Sequence, residues 1–298
     1  MTADEPAPTV AEMLRANEAN WDARAPVHAR SDFYGLDGSR APGDWFAPFE
    51  WDDLGDLHGR DVLHLMCHLG TDTLAFAERG AARTVGLDFS AASVAGARRI
   101  AAEAGREVEF VRADVHRAPE ALAGRRFDVV YTGKGALCYL PDLAAWAEVV
   151  RALLRPGGVL YVVEFHPLLD SLGPAGSPDE VPELLLRHDY LAGRGPVRKD
   201  SPHTYTDGPP LTGPVTSYEW RHGIGDVVTA LTGAGLAVDL LRETDLLPWP
   251  RFAAMERDPQ SGWWRLPPTR PAVPLIFALR AAPAPGPVRG LELRARSG

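Results

Sequence analysis

Two cysteines occur in 298 residues, Cys67 and Cys138, and neither belongs to a CxxC or CxxH pattern. That excludes a disulfide scaffold and a zinc module, and it fits a reducing cytoplasmic compartment. No run of Lys or Arg is longer than a pair such as Arg98-Arg99, and the net charge is −9. A nucleic-acid backbone or an anionic membrane surface is therefore not the expected partner. The uninterrupted apolar runs fall far short of the ~20 residues that a membrane span needs. Met1 to Val10 is polar and proline-bearing, unlike a signal peptide. What remains is a chain with 45% hydrophobic and 24% charged residues, ordinary for a soluble globular protein. Its length suffices for a large core without staples.

The ends read as loose. Met1–Thr9 has no apolar period, and Ala281–Gly298 opens with Ala-Ala-Pro-Ala-Pro-Gly-Pro. Disorder is expected in both. A helix is expected from Val10 to about Trp21, within an N-terminal arm of residues 1–58.

Residues 60–166 alternate between strands and helices. Asp61–Met66, Thr84–Asp88, Glu107–Arg112, Phe127–Tyr131 and Gly158–Phe165 are short apolar runs, as doubly buried strands should be. Leu143, Trp146, Ala147, Val150, Leu153 and Leu154 recur at helical spacing, and Arg155-Pro156-Gly157-Gly158 stops that helix. Such alternation predicts a doubly wound, mostly parallel α/β sheet. A helix near Gly225–Gly233 leading to Leu236–Leu241, and a strand at Pro274–Arg280, complete it. The domain is expected over residues 59–280, with a tail at 281–298. Pro167–Val215 carries nine prolines and six glycines in 49 residues. It is too long for a plain connection, and reads as an inserted cap over about 167–222 or as a surface loop.

The first strand runs into Met66-Cys67-His68-Leu69-Gly70-Thr71-Asp72, a tight turn entering a helix. Ligands of parallel sheets sit at such carboxyl ends. Asp88, ending the second strand, can accept from two ribose hydroxyls. Asp114, after the third, can accept from an exocyclic adenine amino group.

In these segments the sequence resembles class I S-adenosylmethionine-dependent methyltransferases, of an actinobacterial small-molecule branch. The likeness runs from about Gly59 to His166 and more weakly through Arg280. It rests on Gly70, on Asp88, on Asp114, on Phe127-Asp128-Val129-Val130-Tyr131 and on Leu154-Arg155-Pro156-Gly157-Gly158. The resemblance implies a seven-stranded Rossmann-like sheet whose last strand runs antiparallel. It implies S-adenosylmethionine as cofactor, S-adenosylhomocysteine as product, and a small-molecule acceptor of secondary metabolism, methylated at O or N. It leaves room for a homodimer. The cofactor site it implies comprises Tyr34, His64, Met66, His68, Gly70, Asp88, Phe89, Asp114, Val115 and Gly133. His64 stands where the family has an acid, and Met66 and His68 stand at glycine positions. The alternative is a protein of this fold that binds the cofactor without transfer, as a cyclase or binding protein. A nicotinamide-dependent oxidoreductase would need Gly-x-Gly-x-x-Gly, which is absent.

An oxygen or nitrogen acceptor can need a base. His166, directly after the fifth strand in Glu164-Phe165-His166-Pro167, is the first candidate, with Glu164 orienting another group. His222, in Tyr218-Glu219-Trp220-Arg221-His222-Gly223, is the second. Each alternatively bonds a loop carbonyl. Lys134 either faces an anionic group of the acceptor or is solvated. Trp249, Phe252, Trp263 and Trp264 form either core or an aromatic acceptor wall.

Overall fold

The structure, a computed structural model, describes residues 6–172 and 186–284. The expected tails therefore fall partly outside the described residues, as does 173–185 of the expected cap.

The chain opens with helix α1 (Val10–His28), followed by α2 (Pro48–Leu54). Then come β1 (Asp61–Leu65), α3 (Thr73–Glu78), β2 (Arg83–Asp88), α4 (Ala91–Glu103), β3 (Glu109–Arg112), α5 (Ala118–Ala121), β4 (Phe127–Thr132), α6 (Leu143–Leu153), β5 (Leu154–Phe165) and α7 (Pro167–Leu172). After the insertion strands β6 (Val197–Asp200) and β7 (Thr216–Glu219) follow α8 (Ile224–Gly233) and β8 (Leu236–Thr244). Two-residue strands β9 (Glu256–Arg257) and β10 (Trp264–Arg265) precede β11 (Ile276–Pro283). The main sheet has seven strands in the order β3-β2-β1-β4-β5-β11-β8. The first five pair in parallel, and β11 lies antiparallel between β5 and β8.

Strand alternation divides the core. Leu63, Leu65, Leu87, Val130 and Val162 face one side, against Trp146 and Val150 of α6 and Leu231 of α8. Val62, Val129, Tyr131, Tyr161 and Val163 face the other, against α2, α3 and the late loop with Leu247, Phe252 and Trp263. Phe252 and Trp263 are thus core, the plainer of the two expectations. At the end of the sheet away from the first turn, Arg155 pairs with Asp61 at 2.7 Å and Asp128 at 2.6 Å, tying β1 to β4.

Boundaries differ from the sequence reading at both ends of the domain. Helix α1 continues seven residues beyond Trp21 and contains Pro26. Its start is a capping box in which Thr9 and Glu12 satisfy each other's backbone N–H groups. Ordered chain also extends past Arg280: β11 pairs Pro283 with Leu236, and Ala284 N–H donates to Gly235 O at 2.9 Å.

The described part of the insertion lies on α1. Strands β6 and β7 form a hairpin. The Asn17 side chain accepts from Tyr218 N–H at 2.7 Å and donates to Tyr218 O at 2.9 Å, as a neighbouring strand would. Asp207 accepts from the backbone N–H groups of Asp32 and Phe33. Arm and insertion are one packed unit above the sheet's carboxyl edge.

Candidate active site

The turn after β1 is built on left-handed backbone. Met66, His68 and Gly70 have φ of 57°, 49° and 64°. For a residue with a Cβ this conformation costs roughly 1–2 kcal/mol. At Gly70 any Cβ would also lie 2.5 Å from Phe110, so only glycine fits. Local bonds hold the turn: Cys67 N–H donates to Leu87 O, Gly70 N–H to Cys67 O, and His68 N–H to the Asp88 carboxylate at 2.8 Å.

Beside this turn lies a cavity of about 350 Å³. Its wall combines the turn with Asp72, the ends of β2, β4 and β5, and residues of the arm, insertion and late loop. Of the site residues expected from sequence, Tyr34, His64, Met66, His68, Asp88, Phe89, Gly133 and His222 reach the wall. Gly70, Asp114, Val115 and His166 do not. Gly70 shapes the turn from behind. Asp114 caps the turn that follows it, accepting from His116 N–H at 2.8 Å and from the His116 ring at 2.9 Å.

Asp88 is 5% exposed. Burial raises its pKa to about 6, against the pull of N–H donors from Ser90 and His68. Each of its oxygens keeps a second lone pair. The Asp72 side chain, also on the wall, carries no hydrogen bond among the described residues; His64 Nδ1 lies 3.8 Å from it. His64 is buried, bonds Thr73 through Nδ1, and is held below the usual histidine range by desolvation. Asp72 was no sequence candidate. Its signal was available: an acid at the start of α3, eight residues beyond the position where the family's acid is missing.

His68 also joins a chain that clamps the cavity. Its Nδ1 meets Ser93 Oγ at 2.9 Å, its Nε2 meets His28 Nδ1 at 2.8 Å, and His28 Nε2 meets Thr204 Oγ1 at 2.6 Å. Burial lowers His28 to about pKa 3 and His68 well below its usual value, so both rings are neutral. Each then donates once and accepts once, and the whole chain runs in a single direction. Tyr34 and Tyr205 join through their hydroxyls at 2.5 Å. Arm, turn and insertion are thereby bound together.

The two base candidates separate clearly. His166 Nδ1 accepts from Leu168 N–H at 3.0 Å, which places the proton on Nε2, bonded to Glu243 at 2.8 Å. Both nitrogens are engaged behind the wall, a correction to the expectation that His166 faces the cleft. His222 stands on the wall, and its Nε2 donates to Leu140 O at 2.8 Å. That fixes the tautomer and leaves Nδ1 as a lone pair. Desolvation holds its pKa below the ordinary value.

Glu164 accepts backbone N–H bonds from Gly135, Ala136, Leu137 and Phe165, and so shapes the loop after β4. Burial raises its pKa to about 7 against these donors. Lys134 is neither solvated nor free for a ligand. It pairs with the fully buried Glu50 at 2.8 Å and donates to Trp45 O. Trp249 stands on the wall, edge-on to Phe165 and Phe33. Cys67 and Cys138 are free thiols whose pKa values burial pushes well up.

Residues 62–158 match the family described as "Methyltransferase domain". Solved structures agree on the fold. The DhpI–SAH complex is 19% identical, covers 93% of this chain and 100% of its own, and has a TM-score of 0.55. An S-adenosylmethionine-dependent methyltransferase from Mesorhizobium loti is 22% identical, with coverage of 83% and 99% and a TM-score of 0.51. The glycopeptide N-methyltransferase MtfA with sinefungin is 19% identical, with coverage of 83% and 96% and a TM-score of 0.52. No curated protein matches the chain. No described helix is long and apolar enough to cross a membrane, and no described cluster of His, Cys, Asp and Glu would hold a metal.

Proposed function

We propose that this chain is an S-adenosylmethionine-dependent methyltransferase that methylates a small-molecule acceptor at oxygen or nitrogen. The observation that carries it is the cavity at the β1 turn, with two carboxylates, Asp88 and Asp72, aligned along a methyltransferase-domain scaffold. The donor set fits the group. Asp88 has lone pairs for the ribose hydroxyls, Phe89 offers a face to the adenine, and Asp72 supplies the anion for the methionine ammonium. When bound, S-adenosylmethionine supplies a methyl group on a sulfonium sulfur that leaves as the thioether. The chain's own part is to orient, to exclude water and to take a proton. His222 Nδ1 receives the proton of the acceptor hydroxyl or amine. Residues 1–58 act as arm and 167–222 as cap, and the clamp through His28, His68 and Thr204 keeps water from the cavity.

The departures at positions 64, 66 and 68 favour one rival, a protein that binds the cofactor without transfer. Two measurements separate the readings. S-adenosylhomocysteine at 100 times its dissociation constant should raise stability by about 2.7 kcal/mol, read by thermal shift. Transfer of labelled methyl from S-adenosylmethionine to a panel of small acceptors should then be seen. Absence of the shift refutes the cofactor reading; a shift without transfer to any acceptor favours the rival.

A further inference from the structure

The cavity wall carries three cationic side chains, Lys134, Lys199 and Arg251. Lys134 is held by Glu50 and Lys199 by Glu219. Arg251 has neither an ion pair nor a side-chain hydrogen bond among the described residues, and its Nε is buried without a partner. A buried guanidinium nitrogen without an acceptor costs free energy that a ligand can recover. The acids that Arg251 feels are Asp170 and Glu219, which already serve Arg221, at 3.4 Å, and Lys199. Neither acid is therefore paired with Arg251. Glu164, the third acid of this region, is turned to four backbone N–H groups.

The charged groups around Arg251 are also not those around Asp72. The groups that feel Asp72 are Tyr34, His64, Cys67, Tyr131 and Tyr205, and Arg251 shares none of its charged neighbours with them. Trp249, two residues from Arg251, meets Phe165 edge-on, and both share the cavity wall with Trp220 and His222. Arg251 is held in place by its turn, where its N–H meets Met255 Sδ at 3.3 Å.

Resting on the methyltransferase reading, we propose that the acceptor is an aromatic monocarboxylate, with its carboxylate anchored by the Arg251 fork and its reacting oxygen or nitrogen elsewhere on the ring, toward His222. A guanidinium without an acceptor calls for an anionic group, and its fork matches the two oxygens of a carboxylate. The carboxylate is the handle, not the methylated atom.

The test uses the full chain with benzoate, 4-hydroxybenzoate and phenylacetate, their amides, and phenyl phosphate as probes, followed by thermal shift and calorimetry. The carboxylates should bind and the amides should bind about tenfold or more weakly, the loss expected for a charge-assisted pair. In Arg251→Gln that preference should vanish, while Arg251→Lys should keep part of it. S-adenosylhomocysteine affinity should be unchanged in both variants, which also reports that they are folded. Equal binding of acids and amides, binding of none of the carboxylates, preference for phenyl phosphate, or a preference that survives Arg251→Gln each overturns the proposal. The probes are tested without S-adenosylhomocysteine as well as with it. A parent that binds carboxylates through Arg251 but not S-adenosylhomocysteine would refute the cofactor reading and leave the anion site standing.

Discussion

Asp72→Asn is the sharpest perturbation available. It removes one charge from the cavity at nearly constant shape. Its cost to the fold should be small, because the Asp72 side chain makes no hydrogen bond among the described residues and its neighbour His64 sits 3.8 Å away with its protonated form disfavoured by burial. Its cost to binding should be large. A hydrogen bond to a charged group contributes about 1.5–3 kcal/mol. At about 1.4 kcal/mol per tenfold, S-adenosylhomocysteine should bind roughly 10- to 150-fold more weakly. The control is 5′-methylthioadenosine, which keeps the nucleoside and lacks the amino acid. Its affinity should stay within about twofold, since the variant leaves Asp88 untouched. Both ligands would be titrated into parent and variant by calorimetry, with melting temperatures measured alongside. Equal losses for the two ligands, or an S-adenosylhomocysteine affinity within about threefold of the parent, would refute Asp72 as the holder of the ammonium.

Asp88→Ala should weaken both ligands by about tenfold or more, because two ribose hydroxyls lose a charged acceptor. In the parent, calorimetry across pH should show nucleoside affinity falling as pH drops through about 6, where Asp88 takes up its proton. His222→Ala should lower turnover by roughly 10²–10⁴ while S-adenosylhomocysteine binds as before. The base must be neutral, so the parent's rate should rise with pH through a value below the ordinary histidine pKa and then level off, and that limb should vanish in the variant. Glu50→Ala strands the Lys134 ammonium inside the protein and should cost about 3–5 kcal/mol in urea unfolding. Glu50→Gln combined with Lys134→Met should cost less than Glu50→Ala alone, which would mark the loss as an unpaired charge rather than a missing attraction.

The sheet was readable because its signals are local. Each central strand is a short apolar run between turn residues, and the five parallel strands and the last one lie within a few residues of the expected ends. Two features escaped for physical reasons. Strand β6, Val-Arg-Lys-Asp, is exposed at all four positions and carries no apolar pattern; it pairs with β7, whose Tyr218 backbone is held by the Asn17 side chain. Helix α1 was cut short at Asp22-Ala23-Arg24-Ala25-Pro26, a sequence that reads as a stop. Tertiary contact overrides the proline: Asp22 accepts from Ser90 Oγ–H at 2.6 Å and Ala92 N–H at 3.0 Å, which fastens the arm to the start of α4. Such bonds join residues about 70 apart, and no window of sequence contains them.

The site was legible where one residue sufficed and illegible where a relation between residues was needed. The place of Asp88 on the cavity wall followed from its position at the end of a strand. His166 looked better than His222 because it follows a rigid strand, yet rigidity also gave it two fixed partners, Leu168 N–H and Glu243. A base needs one nitrogen held and the other open, and His222 has that arrangement. The turn makes the same point. Glycines normally announce left-handed backbone, and here Met66 and His68 adopt it without being glycine. What holds His68 there is a set of bonds from both its backbone and its ring, to Asp88, Ser93 and His28. The side chain that costs the turn its backbone comfort is therefore the one that ties the turn to the arm. Replacing it with the expected glycine would relax the loop and release the clamp together.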